Sequence, residues 1–174
     1  QLERFEHQGS VWDVYVKGEG PGVVIMHEVP GIIPEVAAFA EQVADAGFTV
    51  FLPSLFGTPG KPFSPAYAAT SIARACIRKE FAAFEANNSG PIADMLRSLC
   101  RYAHGRCGGP GVGALGMCFT GNFALALAVD PCVLAPVLSQ PSLPIGATHE
   151  ARAGLHLSEQ ELDAVKIRVH QEDL

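Results

Sequence analysis

A cysteine at position 118 stands between small residues, where a strand is expected to turn into a helix. Residues 116–121 read Gly-Met-Cys-Phe-Thr-Gly; the apolar run 112–115 precedes them and a helical pattern, 122–129, follows. Small residues beside a tight turn let one side chain protrude over the sheet edge, while the helix N-terminus directs positive potential towards it. A free thiol, with a pKa of about 8.5, is mostly protonated at pH 7, so a working cysteine needs such surroundings. The pattern predicts that Cys118 is a nucleophile; the alternative is a small buried side chain.

Backbone N–H groups near this cysteine predict an oxyanion hole. The turn directs the N–H of Phe119 into the same pocket, and the loop after the apolar run 23–26 offers the N–H of Val29 as a second donor. Glu28 lies on that loop, where a carboxylate can accept the thiol proton or keep the thiol inactive; an ordinary solvated glutamate is the alternative. His27 precedes it and is a candidate for substrate contact, unless it simply packs or caps the loop.

Alternating strands and helices are predicted to position these groups. Short apolar or alternating runs predict strands at 11–16, 23–26, 48–52, 112–115 and 133–138. Helical periodicity and end signals predict helices from Pro34 to Gly47, at 66–86, 91–104 and 122–129, and a last one that opens at the capping box of Ser158 and Glu161. This order implies an α/β fold with a mainly parallel sheet, helices on both faces and a site at the carboxyl ends of the strands. The first strand is expected in a hairpin or at an edge, and the proline-rich loop 53–65 is expected to be irregular and exposed and to rim the site.

Length and composition predict one globular domain. The chain has 174 residues, of which 48% are hydrophobic and 17% charged, and this suits a single domain over 1–174 with a substantial core. The net charge is −6, and we find no basic stripe that would neutralise nucleic acid or hold an anionic membrane. No apolar stretch approaches the roughly 20 residues that span a bilayer. The five cysteines fit no disulfide framework, which favours a reducing, cytoplasmic location.

One group of residues imitates a metal site. Cys100, His104 and Cys107 could share one face of a helix end, but no fourth ligand accompanies them. Ordinary packing is therefore the expected role of these side chains, and neither a metal nor a cofactor is predicted.

The chain from about Val23 onwards resembles the dienelactone hydrolase family of the α/β-hydrolase fold. The resemblance is carried by Val-Val-Ile-Met-His-Glu-Val-Pro-Gly at 23–31, Gly-Phe-Thr-Val-Phe-Leu-Pro-Ser-Leu-Phe-Gly at 47–57 and the Gly-Met-Cys-Phe-Thr-Gly of 116–121. It implies a three-layer fold and a hydrolase of carboxylic esters or lactones, in which Cys118 attacks the carbonyl and forms a thioester. It also implies that a small-molecule carboxylate is bound by arginine. Arg78 is the nearest positional match, although a solvated or salt-bridged face is an equal alternative.

The sequence departs from this family in two places. Thr120 stands where glycine is commoner, which could tighten or reorient the turn without removing it. The aspartate and histidine that follow the nucleophile in the family have no match, because every downstream candidate falls at the wrong end of the sheet or too early in the order: Asp130, His149, His156, His170 and Asp173. We therefore expect these two residues and at least one strand to lie beyond Leu174, and the chain as written to lack part of its catalytic machinery.

Two other functions stay open at this point. The chain could be a non-catalytic, hydrolase-like binding or redox-sensing module, whose cysteine is modified rather than turned over. It could also be a DJ-1/PfpI-like cysteine protein, since that superfamily pairs a loop glutamate with a cysteine turn. Phe119, where that superfamily often has histidine, and the opening hairpin argue against this second alternative.

Overall fold

The computed structural model describes residues 1–77, 90–141 and 157–172. The strands are β1 (Leu2–His7), β2 (Ser10–Lys17), β3 (Gly22–Met26), β4 (Thr49–Pro53), β5 (Val112–Met117) and β6 (Val133–Ser139). The helices are α1 (Pro34–Asp45), α2 (Pro65–Ile77), α3 (Gly90–Cys107), α4 (Gly121–Leu127) and α5 (Glu159–Glu172), and a 3₁₀ turn (Cys118–Thr120) joins β5 to α4. Each predicted strand is present, and the predicted helix 66–86 is described as far as Ile77.

The described strands form one mixed sheet in the order β1-β2-β4-β3-β5-β6. Strand β3 runs parallel to both of its neighbours, β4 and β5, and β6 runs parallel to β5. Strand β2 runs antiparallel to both of its neighbours, β1 and β4. The mainly parallel centre is confirmed, and it brings the carboxyl ends of β3, β4 and β5 to one edge of the sheet.

Helices cover both faces of this sheet and bury its apolar side chains. On one face α3 contributes a stripe at helical spacing: Ile92, Leu96, Leu99 and Ala103. On the other face α1 packs through Val36, Ala40 and Ala44 against Ile25 and Val50. The predicted three-layer arrangement is confirmed, and within it the central strands are held rigidly from both sides.

The first strand of the sheet was not predicted from the sequence. Strand β1 pairs with β2 in a hairpin, and β2 in turn pairs with β4 at the far side from β5. The side chains of β1 alternate only between exposed and half-buried, so the segment lacks the apolar alternation that marks a strand. In addition to its pairing with β2, β1 is held by side-chain contacts with α3. The ring of Phe5 lies 5.7 Å from that of Tyr102, and Glu3 pairs with Arg106 at 2.7 Å.

The ends of the helices follow the local signals. Helix α1 begins at Pro34, and Gly47 follows it with a φ of 92°, a conformation that favours glycine. The predicted capping box of the last helix is present, since Ser158 N donates to Glu161 Oε2 at 2.8 Å and Glu161 N donates to Ser158 Oγ at 3.2 Å. Within the described ranges, no helix combines the length and the apolar character needed to cross a membrane.

Candidate active site

Cys118 lies at the hinge between β5 and the 3₁₀ turn in a left-handed backbone conformation. Its φ is 49°, whereas most non-glycine residues avoid positive φ. Met117 is still extended and the 3₁₀ turn begins at Cys118, so the chain changes from strand to turn at this position. The side chain is half-buried and therefore partly open to solvent. Backbone strain of this kind concentrates at functional sites, where the surrounding structure maintains it.

Two glycines make the cysteine turn (residues 116–121) sterically feasible. A Cβ at Gly116 would lie 2.3 Å from the carbonyl oxygen of Thr120, and a Cβ at Gly121 would lie 2.8 Å from Cα of Pro141. Both contacts are with backbone, which cannot move aside as a flexible side chain can. The tight turn that the sequence predicted is therefore present, and glycine is required at both of its ends.

Thr120 is fully buried inside this turn. Its hydroxyl accepts a hydrogen bond from Met117 N at 3.1 Å and lies 2.8 Å from Met26 O and 3.0 Å from Met117 O. The residue noted as a departure from the family thus links the end of β5 to the end of β3. Sequence reasoning marked the position but not the contact, because a bond between residues 94 positions apart leaves no local pattern.

Glu28 and Val29 are brought to the same edge of the sheet as Cys118. In the parallel pairing of β3 with β5, Met26 is the partner of Gly116, so Glu28 and Cys118 each lie two residues beyond paired positions. Neighbouring strands are about 4.8 Å apart, which makes the two segments neighbours. Glu28 and Val29 are both half-buried. Among the ion pairs of the described residues, none involves Glu28.

His27 occupies the interior instead of the surface of the site. Its ring is fully buried, with Nδ1 3.0 Å from Glu28 O and Nε2 3.0 Å from Leu55 N. Because the Leu55 N–H can only donate, Nε2 accepts and the ring proton lies on Nδ1, where it is donated to Glu28 O. Burial lowers the pKa of His27 to about 4, against a smaller opposing effect of the bond to Glu28. The sequence left two roles open for His27, substrate contact and packing. Because both ring nitrogens are bonded to backbone, neither nitrogen is available to a substrate in this arrangement.

The loop after β4 is partly a core element, which corrects the expectation that loop 53–65 is exposed. Leu55 and Phe56 are buried, whereas residues 57–63 and Pro65 are exposed. The buried pair fills space beneath the site, and the ring of Phe56 packs at 4.5 Å, edge to face, against that of His27. Gly60 N donates to Ile32 O at 2.7 Å, so this loop is fastened to the loop that carries Glu28. That loop 53–65 rims a site stays a prediction.

Several other residues named in the sequence analysis lie elsewhere. Asp130 lies before β6 at the opposite end of the sheet, where Arg101 Nε donates to its carboxylate at 2.6 Å. His170 is exposed on α5. Arg78 falls outside the described residues, as do His149, His156 and Asp173.

The cysteines and histidine of the apparent metal group belong to the end of α3. Cys100 is fully buried, and burial raises the pKa of its thiol. His104 Nε2 lies 3.0 Å from Gly109 O. Across the described part of the chain, no group of three or more histidine, cysteine or acidic side chains is arranged to hold a metal ion.

A cavity of about 410 Å³ lies away from Cys118, between α1 and the strands β2 and β4. Its wall is mostly apolar and includes Tyr15, Ile32, Ala40 and Leu52, with Lys17 and Glu41 at its edge. These two charged side chains pair with each other at 2.9 Å. Among the site residues that the structure describes, none lines this cavity, so we do not assign it to the chemistry of Cys118.

Comparisons with known proteins bear on the family and the fold of the chain. A family model described as the dienelactone hydrolase family matches residues 13–161. No curated protein matches the chain. Among solved structures, a protein from Klebsiella pneumoniae subsp. pneumoniae MGH 78578, named as a dienelactone hydrolase candidate, aligns with a TM-score of 0.61 at 12% identity, over 99% of this chain and 80% of its own.

Two further structures align over less of their own length. Est1E from Butyrivibrio proteoclasticus gives a TM-score of 0.56 at 11% identity, over 80% of this chain and 50% of its own. The thioesterase domain from the curacin biosynthetic pathway gives 0.56 at 14% identity, over 98% and 52%. At these identities the likeness shows the fold alone, and the chain spans about half the length of these two proteins.

Proposed function

Because the chain belongs to the dienelactone hydrolase family, we propose that it hydrolyses a carboxylic ester or lactone through Cys118. Hydrolysis is the chemistry that this family supports, and the cysteine nucleophile and the ester class are our proposals. The observation that carries both proposals is the left-handed conformation of Cys118 at the strand-to-helix hinge. Cys118 lies between Gly116 and Gly121, where neighbouring backbone leaves no room for a Cβ. This is the geometry by which a turn exposes a nucleophile above the edge of a parallel sheet.

The proposed first step is acylation of the thiol. The Sγ atom of Cys118 attacks the carbonyl carbon of the substrate, and Glu28 accepts the thiol proton. The N–H groups of Val29 and Phe119 donate to the oxyanion, and each such donor contributes a factor of about 10² to 10³ in rate. The C–O bond then breaks, the leaving alcohol oxygen takes the proton that Glu28 had accepted, and the acyl group remains on Cys118 as a thioester. Water cleaves this thioester to a carboxylic acid and the free thiol.

The placement of Glu28 supports its part in this proposal. Glu28 and Cys118 each lie two residues beyond the partner residues Met26 and Gly116 of the sheet, and no ion pair engages the Glu28 carboxylate among the described residues. Arg78 stays a prediction for binding a substrate carboxylate, and a cytoplasmic location stays a prediction from the cysteine content.

The test is the acylation of Cys118 by a p-nitrophenyl ester. The unchanged protein is expected to release one equivalent of p-nitrophenol in a burst and to gain the mass of one acyl group on the peptide that contains Cys118. Cys118→Ala should abolish both signals. Cys107→Ala is the matched control, since it removes another half-buried thiol at the end of α3, and it should retain them.

Either of two results would overturn the proposal. One is an undiminished burst from Cys118→Ala, and the other is the absence of any acylation of the unchanged protein. A Cys118 that is oxidised by peroxide but never acylated would instead favour the redox-sensing alternative.

A further inference from the structure

Two buried side chains contact the backbone of residues 26–28, at the end of β3. Thr120 contacts the carbonyl of Met26, and His27 contacts the carbonyl of Glu28. Both side chains are fully buried, so neither bond competes with bulk water. Two carbonyls two residues apart are thereby fixed in direction, immediately before Val29.

The bond from His27 also fixes an N–H group. The carbonyl of Glu28 and the N–H of Val29 belong to one planar trans peptide unit, in which the two groups point in opposite directions. Since the carbonyl is directed at the buried ring of His27, the N–H of Val29 is directed away from it. Among the described residues, no acceptor is bonded to this N–H. A donor that is oriented by its own peptide, and to which no acceptor of the described residues is bonded, is available to an external acceptor.

The ring of His27 is itself held in place. Leu55 N donates to Nε2, and Phe56 packs against the ring edge to face, so the orientation of the imidazole is set by the loop after β4. The position of the Glu28 carbonyl therefore depends on Leu55, which is 28 positions from His27 along the chain.

Thr120 connects the same segment to the cysteine turn. A hydroxyl has one proton to donate; this one accepts from Met117 N and lies closer to Met26 O, at 2.8 Å, than to Met117 O, at 3.0 Å. Through Met26 O the hydroxyl joins the segment that carries Val29 to the turn that carries Cys118 and Phe119. Glycine at position 120 would have no side chain to form this connection.

We propose that His27 and Thr120 are positioning residues, which together set the direction of the Val29 N–H relative to Cys118. The inference rests on the proposed function, because it concerns the oxyanion hole of that reaction. Neither side chain touches the substrate. Both act on a backbone donor, whose displacement by about 1 Å can cost a factor of about 10² in rate.

The experiment compares two reactions of the same thiol. Acylation by a p-nitrophenyl ester develops an oxyanion and needs the Val29 N–H, whereas alkylation by iodoacetamide needs only a reactive thiolate. The measured quantity is the ratio of the acylation rate to the alkylation rate, with modification of Cys118 followed by peptide mass. A general loss of structure that lowers the reactivity of the thiol lowers both rates.

Thr120→Val keeps the shape of the side chain but removes the hydroxyl, and it is expected to lower the ratio by about 10- to 100-fold. Thr120→Ser should restore most of it. The matched control is Thr49→Val. Thr49 is another buried threonine, which donates to Gly20 O at 2.9 Å at the opposite end of the sheet, and its replacement should leave the ratio unchanged.

His27→Gln provides the second arm and should also lower the ratio. Its control is His104→Gln, which removes an imidazole that is bonded to the carbonyl of Gly109 far from the site. If His27→Gln fails to fold, the threonine series alone decides. A ratio in Thr120→Val equal to that in Thr49→Val would overturn the inference.

This failure is distinct from failure of the proposed function. If the nucleophile is assigned wrongly, Cys118 is not acylated in the unchanged protein, and no ratio can be formed. If only the positioning role is wrong, Cys118 is acylated and the ratio is insensitive to position 120.

Discussion

The buried imidazole of His27 predicts a specific loss of stability in weak acid. Burial lowers its pKa from the ordinary 6.5 to about 4 in the folded protein, while the unfolded chain keeps the ordinary value. Between these two values the unfolded chain binds more protons than the folded one, so the free energy of unfolding decreases as the pH falls from 6.5 towards 4. At about 1.36 kcal/mol per pKa unit, the contribution lost between pH 7 and pH 5 is about 2 kcal/mol, and it approaches 3 kcal/mol near pH 4.

Urea denaturation at pH 7 and pH 5, at constant ionic strength, measures this loss. The unchanged protein should lose about 2 kcal/mol more than His27→Gln over this interval, because glutamine does not titrate. Carboxylates contribute equally to both proteins and cancel in the comparison. His170→Gln removes an exposed imidazole on α5, and it should show the same pH dependence as the unchanged protein.

A second measurement removes the dependence on a variant. The imidazole resonances of His27 should keep the position of the neutral ring down to about pH 5, since the folded-state pKa is about 4. Equal pH dependence in the unchanged protein and His27→Gln, or a ring that titrates near pH 6.5 while the protein is folded, would refute the reasoning. Either result would mean that water reaches the ring and that its two backbone bonds are not maintained.

Three further predictions concern the site and the last helix. Glu28→Gln should slow acylation of Cys118 at pH 7 by a factor of about 10² if Glu28 accepts the thiol proton. The control is Glu35→Gln, on the exposed first turn of α1, which should not slow it. Equal acylation rates in the two variants would exclude Glu28 as the proton acceptor. Gly116→Ala should lower the free energy of unfolding by about 2 kcal/mol or more and abolish acylation, because its Cβ would lie 2.3 Å from a backbone oxygen. The control is Gly113→Ala in the same strand, where the nearest atom would be 3.5 Å from the added Cβ. Equal effects of the two substitutions on unfolding and acylation would contradict the steric reasoning. Ser158→Ala should cost about 1 kcal/mol in thermal or urea unfolding through loss of its cap on α5, and no change would show that this cap does not contribute.

The sequence predicted the parts of this protein that short-range physics controls. Apolar runs predicted strands β3 to β6. Strands β3 and β4 are buried almost throughout, and a strand packed on both faces has few polar residues, whereas β6 is equally apolar but mostly exposed. The capping box at Ser158 and the glycine after α1 follow from the hydrogen-bonding needs of helix ends. The turn at Cys118 was predictable because closely approaching backbone excludes a Cβ at Gly116 and Gly121, and glycine in that spacing is visible in the sequence.

Long-range contacts decided the rest. Strand β1 has no apolar alternation and is held by side chains of α3 about 100 positions later in the chain, which no window of sequence contains. Leu55 and Phe56 lie in a proline-rich loop, and only the assembled core makes them interior residues.

The same distinction applies to the candidate site. The sequence by itself predicted Cys118, Glu28, Val29 and Phe119 as candidates, because each lies at a recognisable position relative to a strand end. Tertiary structure decided that His27 is buried between two backbone groups and that Thr120 reaches across to β3. The reason is that a buried polar side chain must find its hydrogen-bond partner wherever the fold places one, and the partner's position along the chain is not restricted by local geometry.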